Sequence, residues 1–327
     1  CVQDSLYGAY LLSLDNSISY DIATNLLCYT SSETKDKLKK NKELTGLELF
    51  SHIIPKGINS VKKNDGEILF QIKDGNLIKG ILDKSQLSTS KNSIVHYIWD
   101  KYQANKTQKF IDDTQRLILN YLLTRGFSIG FKDTIISDDI KKINNEIIKN
   151  KIIVSNHLLT QFENEKDDIN PLIIEDEIKN ELNTTSAQIG KNIMESIDKF
   201  NAFSVLIKSK AKGNPINMAQ VSGCIGQISV EGERIKKKIK GRTLPIFHKN
   251  DDTGIARGFV PRNLLDGFRG YEYFFGVMAG REGLIDTAIK TAETGYIQRK
   301  LVKALEDLYQ RYDGTIRTAN NTIVQYV

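Results

Sequence analysis

Tyr271–Tyr309 reads YEYFFGVMAGREGLIDTAIKTAETGYIQRKLVKALEDLY. The segment contains no proline, and good helix formers run almost unbroken from Arg281 to its end. A helix of this length would extend on the order of 55 Å, far beyond the three or four turns of an average helix. We therefore expect a helix whose length serves something other than a compact core.

The middle of this segment contains residues that weaken a helix. Gly280, Gly283 and Gly295 each cost roughly 1 kcal/mol relative to alanine in a helix interior. Three moderate helix formers lie among them, namely Thr287, Thr291 and Thr294. The pattern favours a helix that bends locally near residues 291–295.

One face of the expected helix carries a stripe of small residues. At about 100° per residue, the residues that share this face are Ala288, Thr291, Ala292 and Gly295. Arg281 and Arg299 return to nearly the same azimuth beyond its two ends. A flat base pair could lie against such a stripe while the arginines hold phosphates. The residues alone favour a simpler alternative, in which the stripe lets another helix pack closely.

The string GREGLIDTAIKTAETGYIQRKLVKALED, residues 280–307, changes that balance. It resembles the bridge helix of the largest subunit of multisubunit, DNA-dependent RNA polymerases, in the form found in eukaryotic RNA polymerase II. The resemblance implies a helix that crosses the active-centre cleft and abuts the new base pair. The residues that it implies face nucleic acid or the nucleoside triphosphate are Thr287, Lys290, Thr291, Ala292, Gly295, Tyr296 and Arg299. Those implied to support the helix against neighbouring protein are Arg281, Glu282 and Asp286.

Residues 1–130 are expected to form a mixed α/β domain. Leu44–Ile54 is predicted to be a short helix, and Asp74-Gly75-Asn76 to be the turn of a β-hairpin. Two helices are predicted at Ser93–Tyr102 and Thr107–Thr124, and Asp4 is a candidate N-cap for an earlier one. Four short segments resemble the pore domain of the same family in the same order: Val2–Gly8, Ile54–Ile58, Asp74–Ile78 and Gly126–Thr134.

Residues 131–235 are expected to contain two long amphipathic helices. Apolar residues recur at helical spacing in both. The first set is Ile140, Ile143, Ile147, Val154 and Leu158, and the second is Ile178, Leu182, Ile189, Ile193, Ile197 and Phe200. An acidic polar stretch, Glu163–Asn170, separates them and predicts an antiparallel hairpin. The family's funnel domain has this form, although periodicity alone allows any coiled-coil hairpin.

The segment from Gly213 to Asn263 also resembles the family, at the junction of its pore and funnel. The polar residues of this junction are Asn217, Gln220, Gln227, Ser229 and Glu231. A simpler interpretation is that their side chains bond to nearby backbone, which we expect for at least half of them. Residues 236–327 are then assigned to the bridge helix and the start of the cleft domain, with Leu301, Leu305 and Leu308 on a buried face. Phe268–Met278 is expected to anchor the bridge helix in a core.

Composition sets limits on the class of protein. The chain has 327 residues, a net charge of +6 and a pI near 8.9, which predicts two or three domains and is compatible with a nucleic-acid partner. Cys1, Cys28 and Cys224 are too scattered for a disulfide framework, and neither they nor the four histidines have zinc-ligand spacing. We expect no zinc, and no apolar run is long enough to span a bilayer. Since the first residue is not methionine, we expect an internal piece of a longer chain.

The resemblance also bears on catalysis. Nucleotide addition requires a carboxylate cluster that holds two Mg²⁺ ions, and the family's NADFDGD motif does not occur here. Asp251-Asp252 is expected to be an acidic loop rather than a metal site. We therefore predict no catalytic or metal-binding residue in this chain, with Mg²⁺ bound elsewhere in the whole enzyme. As part of a larger nucleotidyltransferase, the chain would not be active alone.

The resemblance implies an α+β fold that is mostly α, with a mixed α/β pore domain, a helical-hairpin funnel and a long bridge helix. The partners that it implies are template DNA, the RNA transcript, nucleoside triphosphates, and the second-largest and smaller polymerase subunits, without a membrane. The expected location is the nucleus, or a cytoplasmic virus factory or virion for a viral protein. Two alternatives stay open: a non-catalytic helical scaffold, or a nucleic-acid-binding relic that uses Lys236–Lys240 and the small-residue stripe. Salt-dependent DNA binding would separate these two.

Overall fold

The computed structural model describes residues 2–31, 43–64, 67–164 and 170–326. The chain divides into two compact units, each of which is described by itself. The first comprises Cys1–Ile153, Asn183–Gly226 and Pro261–Asp266, and the second comprises Val154–Leu182, Gln227–Val260 and Gly267–Val327.

Helices dominate the described residues. In chain order they are α1 (Asp4–Leu14), α2 (Tyr20–Cys28), α3 (Gly46–Ser51), α4 (Lys84–Leu87), α5 (Ile94–Arg125), α6 (Asp138–Asn164), α7 (Pro171–Ser196), α8 (Ala202–Lys208), α9 (Pro215–Ser222) and α10 (Gly270–Leu305). With 55% of the residues in helices and only small antiparallel sheets, the fold is α+β and mostly α, as expected. Among the described residues, no helix combines the length and apolarity that a membrane crossing requires.

The strands are short. They are β1 (Ser60–Asn64), β2 (Glu67–Lys73), β3 (Asn76–Lys79), β4 (Gly226–Gln227), β5 (Ser229–Val230), β6 (Glu233–Arg234), β7 (Phe259–Val260), β8 (Tyr309–Gln310), β9 (Thr315–Arg317) and β10 (Ile323–Tyr326). One antiparallel sheet has the order β1-β2-β3, another has the order β10-β9-β8, and β5 pairs with β6. The predicted hairpin is β2–β3, and β1 adds a strand that the sequence analysis missed.

The first unit packs α1, α3 and α5 around an apolar core with the three-stranded sheet beside it. The predicted turn of the sheet is confirmed, because Asp74 and Gly75 have φ of 49° and 78°, the signs that a tight hairpin turn requires. Gln103, with φ 58° and ψ −161°, interrupts α5 between the two predicted helices. The kink lets one long element contribute Ile98 and Phe110 to the same core.

Two predicted helix starts in the first unit were wrong in detail. Gln3, with φ 47°, is the N-cap of α1, so Asp4 is its first helical residue instead. The helix expected at Leu44–Ile54 is confined to α3, because Thr45 and Glu48 form a reciprocal capping box that fixes its start at Gly46.

The buried face of α6 differs from the predicted one. Ile143 and Val154 are exposed, whereas Asn144, Ile148 and Ser155 are buried. Each buried residue follows a predicted one by a single position, which rotates the face by about 100°.

The predicted face of α7 is confirmed over most of its length. The side chains of Ile178, Leu182, Ile189 and Ile193 are all 0% exposed. The helix ends at Ser196, so Ile197 and Phe200 lie beyond it, and Phe200 is largely exposed. Most of the predicted polar turn between α6 and α7, residues 165–169, lies outside the described residues.

The second unit contains α10 and the sheet that follows it. The helix ends at Leu305 rather than near Tyr309. Tyr309 instead pairs with Arg317 in β9, and the Asp313 carboxylate accepts hydrogen bonds from the Thr315 N–H at 3.0 Å and hydroxyl at 2.6 Å. These contacts hold the turn of a β-hairpin, which ends the helix.

Candidate nucleic-acid interface

The N-terminal end of α10 is anchored by aromatic packing. Phe275 is fully buried, and its ring stacks on Phe247 with the centroids 6.1 Å apart and the planes 6° apart. Tyr271 meets both rings edge-on, at 5.3 and 6.4 Å. The predicted anchor is thereby confirmed at Phe275, while Tyr273 and Phe274 on the opposite face are exposed.

The start of α10 is also fixed by a carboxylate. Glu272 is buried and accepts a hydrogen bond from the backbone N–H of Arg269 at 2.6 Å. Its negative charge lies in the first turn, where the helix dipole is positive. The Arg269 guanidinium in turn donates to the hydroxyl of Tyr271 at 3.1 Å. The helix therefore has a defined origin and direction.

A hairpin turn supports α10 directly before its exposed part. The backbone N–H of Glu231, between β5 and β6, donates to the Glu282 carboxylate at 2.6 Å. Lys236 pairs with Glu231 at 2.8 Å and with Glu233 at 3.3 Å, and its hydrogen bond lowers the pKa of Glu231. The structure thus joins Glu231, predicted for the junction, to Glu282, predicted as helix support.

Beyond Glu282 the helix stands clear of the rest of the unit. Every residue from Gly283 to Asp307 is exposed. Leu284 is 75% exposed, and the predicted buried face is wrong for Leu301 and Leu305, each of which is 55% exposed. A helix with apolar side chains on several faces is typical of a protein interior. This part of α10 therefore carries apolar surface that the described residues do not cover.

The middle of α10 is bonded in a way that softens a helix. The hydroxyls of Thr287, Thr291 and Thr294 donate to carbonyls four residues earlier, at 2.9, 2.8 and 2.7 Å. Such bonds compete with the helical ladder and often bend helices. A Cβ added at Gly283 or Gly295 would meet nothing within 4 Å. Close packing within the described chain therefore does not explain these glycines.

The continuous helix places the predicted contact residues around its axis. Ala292, Gly295 and Arg299 share the small-residue face, with Tyr296 at its edge and the ammonium of Lys300 4.1 Å from the ring centroid of Tyr296. Arg281 lies on the same face, and within the described residues neither it nor Arg299 forms a salt bridge. Two cations about 27 Å apart along the axis thus flank a face on which Ala288, Ala292 and Gly295 are small and Ile285 is the larger side chain.

Lys290 lies on nearly the opposite face. Its ammonium is 2.5 Å from the carboxylate of Asp286, one turn earlier, and this hydrogen bond raises the pKa of Lys290. Thr287 lies between the two faces by the same helical spacing. Contacts of these residues with nucleic acid stay predictions.

The residues predicted for the junction fall into two groups. Asn214 is the N-cap of α9, and Asn217 completes the capping box by exchanging hydrogen bonds with it. Gln227 donates to the carbonyls of Ile228 and Arg257 at 2.7 and 2.9 Å. These two amides bond within the chain, as the simpler interpretation expects. Gln220 and Ser229 are half-buried. Asn217 and Gln220 belong to the first unit, and Gln227, Ser229 and Glu231 to the second.

The sequence analysis missed a buried cation. Arg234 is 0% exposed, and its guanidinium donates two hydrogen bonds, of 2.8 and 2.6 Å, to the Glu175 carboxylate. Arg257 adds a contact to Glu175 at 3.2 Å and one to Asp252 at 2.5 Å. Burial acts to raise the pKa of Glu175, but the hydrogen bond and charge of Arg234 outweigh it and lower that pKa. This network ties α7 to the segment that supports α10.

Both carboxylates of the predicted acidic loop, Asp251-Asp252, bond to side chains of this chain. Lys237 pairs with Asp252 at 2.6 Å, while Asp251 bonds to the Thr253 hydroxyl at 2.7 Å. Two lysines of the Lys236–Lys240 run are therefore engaged with carboxylates. In the described part of the chain, no group of three or more histidine, cysteine or acidic residues could hold a metal ion. The residues present do not fit a two-Mg²⁺ centre.

Three family models match successive stretches: RNA polymerase Rpb1 domain 3 at residues 1–134, domain 4 at 155–260 and domain 5 at 267–327. The chain belongs to this family, that of the RNA polymerase largest subunit.

Relatives that are named as subunits of DNA-directed RNA polymerases match along the whole chain. DNA-directed RNA polymerase subunit 1 of Acanthamoeba polyphaga mimivirus is 41% identical over 99% of this chain and 22% of its own length. DNA-directed RNA polymerase II subunits RPB1-B and RPB1-A of Trypanosoma brucei brucei are each 34% identical over 100% of this chain and 19% of their own length. The chain thus spans about a fifth of the length of these relatives.

Proposed function

We propose that this chain forms the pore, the funnel and the bridge helix of the largest subunit of a DNA-directed RNA polymerase. Helix α10 is the bridge helix in this proposal. The observation that carries it is the exposed stretch from Gly283 to Asp307, which is anchored at one end and uncovered beyond it. A helix that crosses a cleft between separate parts of an enzyme requires this arrangement.

In the proposed role, the small-residue face of α10 lies against the base pair at the templating position. Ala292 and Gly295 let a flat base pair approach closely, while Arg281 and Arg299 attract phosphates at the two ends of the stripe. The glycines and back-bonded threonines allow the helix to bend between residues 287 and 295 as the template advances. Glu231 and Glu282 hold the helix on the anchored side of this bend.

The proposed chemistry needs groups outside this chain. Nucleotidyl transfer uses two metal ions to activate the 3′ hydroxyl and stabilise the leaving pyrophosphate. Because the described carboxylates do not form such a centre, the chain contributes a wall of the active site and positions the template. The proposed partners are template DNA, transcript, nucleoside triphosphates and the other polymerase subunits. The relatives' names, one viral and the others RNA polymerase II, support a viral setting or the nucleus.

The scaffold alternative makes a different demand on α10. A helix that only binds other proteins needs its apolar residues and tolerates a larger side chain on the small-residue face. A bridge helix needs that face to stay smooth. Substitutions on this face of α10 therefore separate the two functions.

The test is Ala292→Leu in the complete largest subunit, assembled with its polymerase. We expect RNA elongation to slow by about ten-fold or more, because the added isobutyl group displaces the template from its reactive position. Ala304→Leu makes the same chemical change at another exposed position of α10, about 120° around the axis, and should leave elongation within about two-fold. Equal elongation rates for both variants and the parent, with normal assembly, would favour the scaffold.

A further inference from the structure

A cavity of 430 Å³ lies within the first unit and shares no residue with α10. Residues of α1, β1, β2, α4 and α8 line it. Its volume is in the range of small-molecule sites in proteins. It plays no part in the proposed polymerase function, so we considered what its lining could bind.

The cavity contains a hydrogen-bonding group without a partner. Tyr10 is 7% exposed, and its hydroxyl forms no hydrogen bond with any described residue. Its oxygen is not enclosed as a buried unpaired atom, so a ligand in the cavity can reach it. Burial and the nearby Asp83 both raise the pKa of Tyr10, so the hydroxyl keeps its proton and can donate it.

Two lysines line the same cavity. Lys62 of β1 and Lys208 of α8 are both half-buried, and neither forms a salt bridge within the described chain. Burial lowers the pKa of Lys62; Asp83 acts in the opposite direction, and the charge of Lys210 adds to the lowering. An anion bound near the Lys62 ammonium would favour its charged form and oppose the effect of burial.

The carboxylate in the cavity is already engaged. Asp83 is 3.1 Å from the ammonium of Lys210 and accepts hydrogen bonds from the N–H and hydroxyl of Ser85 at 2.9 and 2.5 Å. Its charge is therefore shared among Lys210, Ser85 and, at longer range, Lys62. The other charged residues of the lining are Lys62 and Lys208.

The rest of the cavity is mainly apolar, apart from Gln86, whose buried Oε1 has no hydrogen-bond partner in the described part of the chain. Leu69 and Ile81 are exposed at its edge, and the buried Phe70 also lines it. Gly80, with φ 136°, allows this packing, because a Cβ there would collide with the Phe70 ring. A ligand that fills the space therefore needs an apolar body as well as a charged head.

We propose that this cavity binds a small organic anion. Its phosphate or carboxylate lies between Lys62 and Lys208 and accepts a hydrogen bond from the Tyr10 hydroxyl. Its apolar body packs on Leu69 and Ile81. Lysine ammonium groups bind such heads as point charges, without a fixed fork geometry. The apolar lining distinguishes the ligand from free inorganic phosphate.

The test uses ligand-observed fluorine NMR on the complete chain in its assembled complex. The probes are 4-(trifluoromethyl)phenyl phosphate and 4-(trifluoromethyl)benzoate, and whichever binds more tightly identifies the preferred head. We expect millimolar or tighter binding, about ten-fold weaker in Lys62→Met and in Lys208→Met, and about three- to ten-fold weaker in Tyr10→Phe. Lys79→Met removes the same charge from an exposed residue of β3 that does not line the cavity, and should change affinity by less than about two-fold.

Two outcomes would overturn the proposal. One is that neither probe binds at a concentration about ten times the expected dissociation constant. This result would be obtained if a segment of another protein fills the cavity in the complex. The other is equal affinity in all four variants, or equal affinity for 4-(trifluoromethyl)phenol, which has no anionic head at neutral pH. Tyr10→Phe conserves shape, so its thermal unfolding temperature should match the parent and keep the comparison interpretable. Elongation rates of the Ala292→Leu enzyme are independent of these results.

Discussion

Helices α7 and α10 have similar sequence patterns and opposite environments. Both carry apolar residues at helical spacing over 26 and 36 residues. In α7 four of these residues are 0% exposed, whereas in α10 every residue from Gly283 to Asp307 is exposed. Helical spacing of apolar residues therefore predicts a helix, but it does not predict whether the same chain buries the apolar side chains of that helix.

The two helices therefore owe their stability to different forces. Burial of apolar side chains stabilises α7, at about 1.5 to 3 kcal/mol per buried side chain. The exposed part of α10 depends on backbone hydrogen bonds, helix propensity and pairs one turn apart, which are individually weak. We expect α10 to gain its missing burial from other parts of the full-length protein.

The largest expected difference comes from the same substitution in the two helices. Leu182→Ala removes a fully buried side chain from α7 and should lower the free energy of unfolding by about 4 kcal/mol, through lost burial and a cavity. Leu301→Ala in α10 should change it by less than about 0.5 kcal/mol. Chemical denaturation of the chain measures both. A large loss for Leu301→Ala would show that α10 is covered within this chain.

The second prediction compares an enclosed ion pair with an exposed one. Glu175→Gln in α7 leaves the buried Arg234 without its carboxylate and should cost about 3 kcal/mol in the free energy of unfolding. Asp286→Asn breaks the exposed pair with Lys290 in α10 and should leave that free energy unchanged within error, because water and salt screen the pair. Similar losses for both variants would contradict the distinction.

The Glu175 pair also predicts a pH dependence. Its native pKa lies below the ordinary value of 4.5, so its stabilisation is fully present above that value and is lost as the pH falls through the lowered native pKa. The pKa of Asp252 is also lowered, from its ordinary value of 3.8, so its stabilisation is lost in the same direction of pH. Denaturation between pH 6 and about pH 3 should therefore show a steeper loss in the parent than in Glu175→Gln. Parallel curves would exclude this linkage.

The smallest effects come from two glycines. In α7 a Cβ at Gly190 would lie 2.5 Å from the backbone oxygen of Pro215, so Gly190→Ala should destabilise the chain by about 2 kcal/mol. In α10 a Cβ at Gly295 meets open space, so Gly295→Ala should stabilise the isolated chain by about 1 kcal/mol. In the assembled polymerase, the stiffer helix of Gly295→Ala should slow elongation. Unchanged pause and elongation rates would show that flexibility at Gly295 does not contribute to the proposed function.

Local patterns predicted some elements well and failed at others. The turn at Asp74-Gly75 was found because only certain residues adopt positive φ readily. The face of α6 was predicted one position off, because the apolar residues there suggested Ile143 and Val154, while packing selected Asn144 and Ser155. Strand β1, SVKKN, carries no strong signal of its own and forms by pairing with β2.

Within the candidate interface, the sequence located the helix and its small-residue stripe but not the contacts that hold them. The bond from the Glu231 N–H to Glu282 joins residues 51 positions apart. No motif marks Arg234 as a buried residue, since arginine is rarely buried without a partner and its partner Glu175 is 59 positions away. Arg234 lies between a charged residue, Glu233, and an apolar one, Ile235, so its neighbours in the sequence do not predict its burial.

The amino-acid sequence by itself determined the long helix, its softened middle, the two arginines flanking its stripe and the membership of the polymerase family, because helix formation and motif identity depend on residues close together in the chain. The tertiary structure alone decided which faces of α6 and α10 are buried, where α10 ends, and that Arg234 lies in the interior. Burial and ion pairing depend on side chains brought together from distant positions, and their balance against desolvation is set only when the fold closes around them.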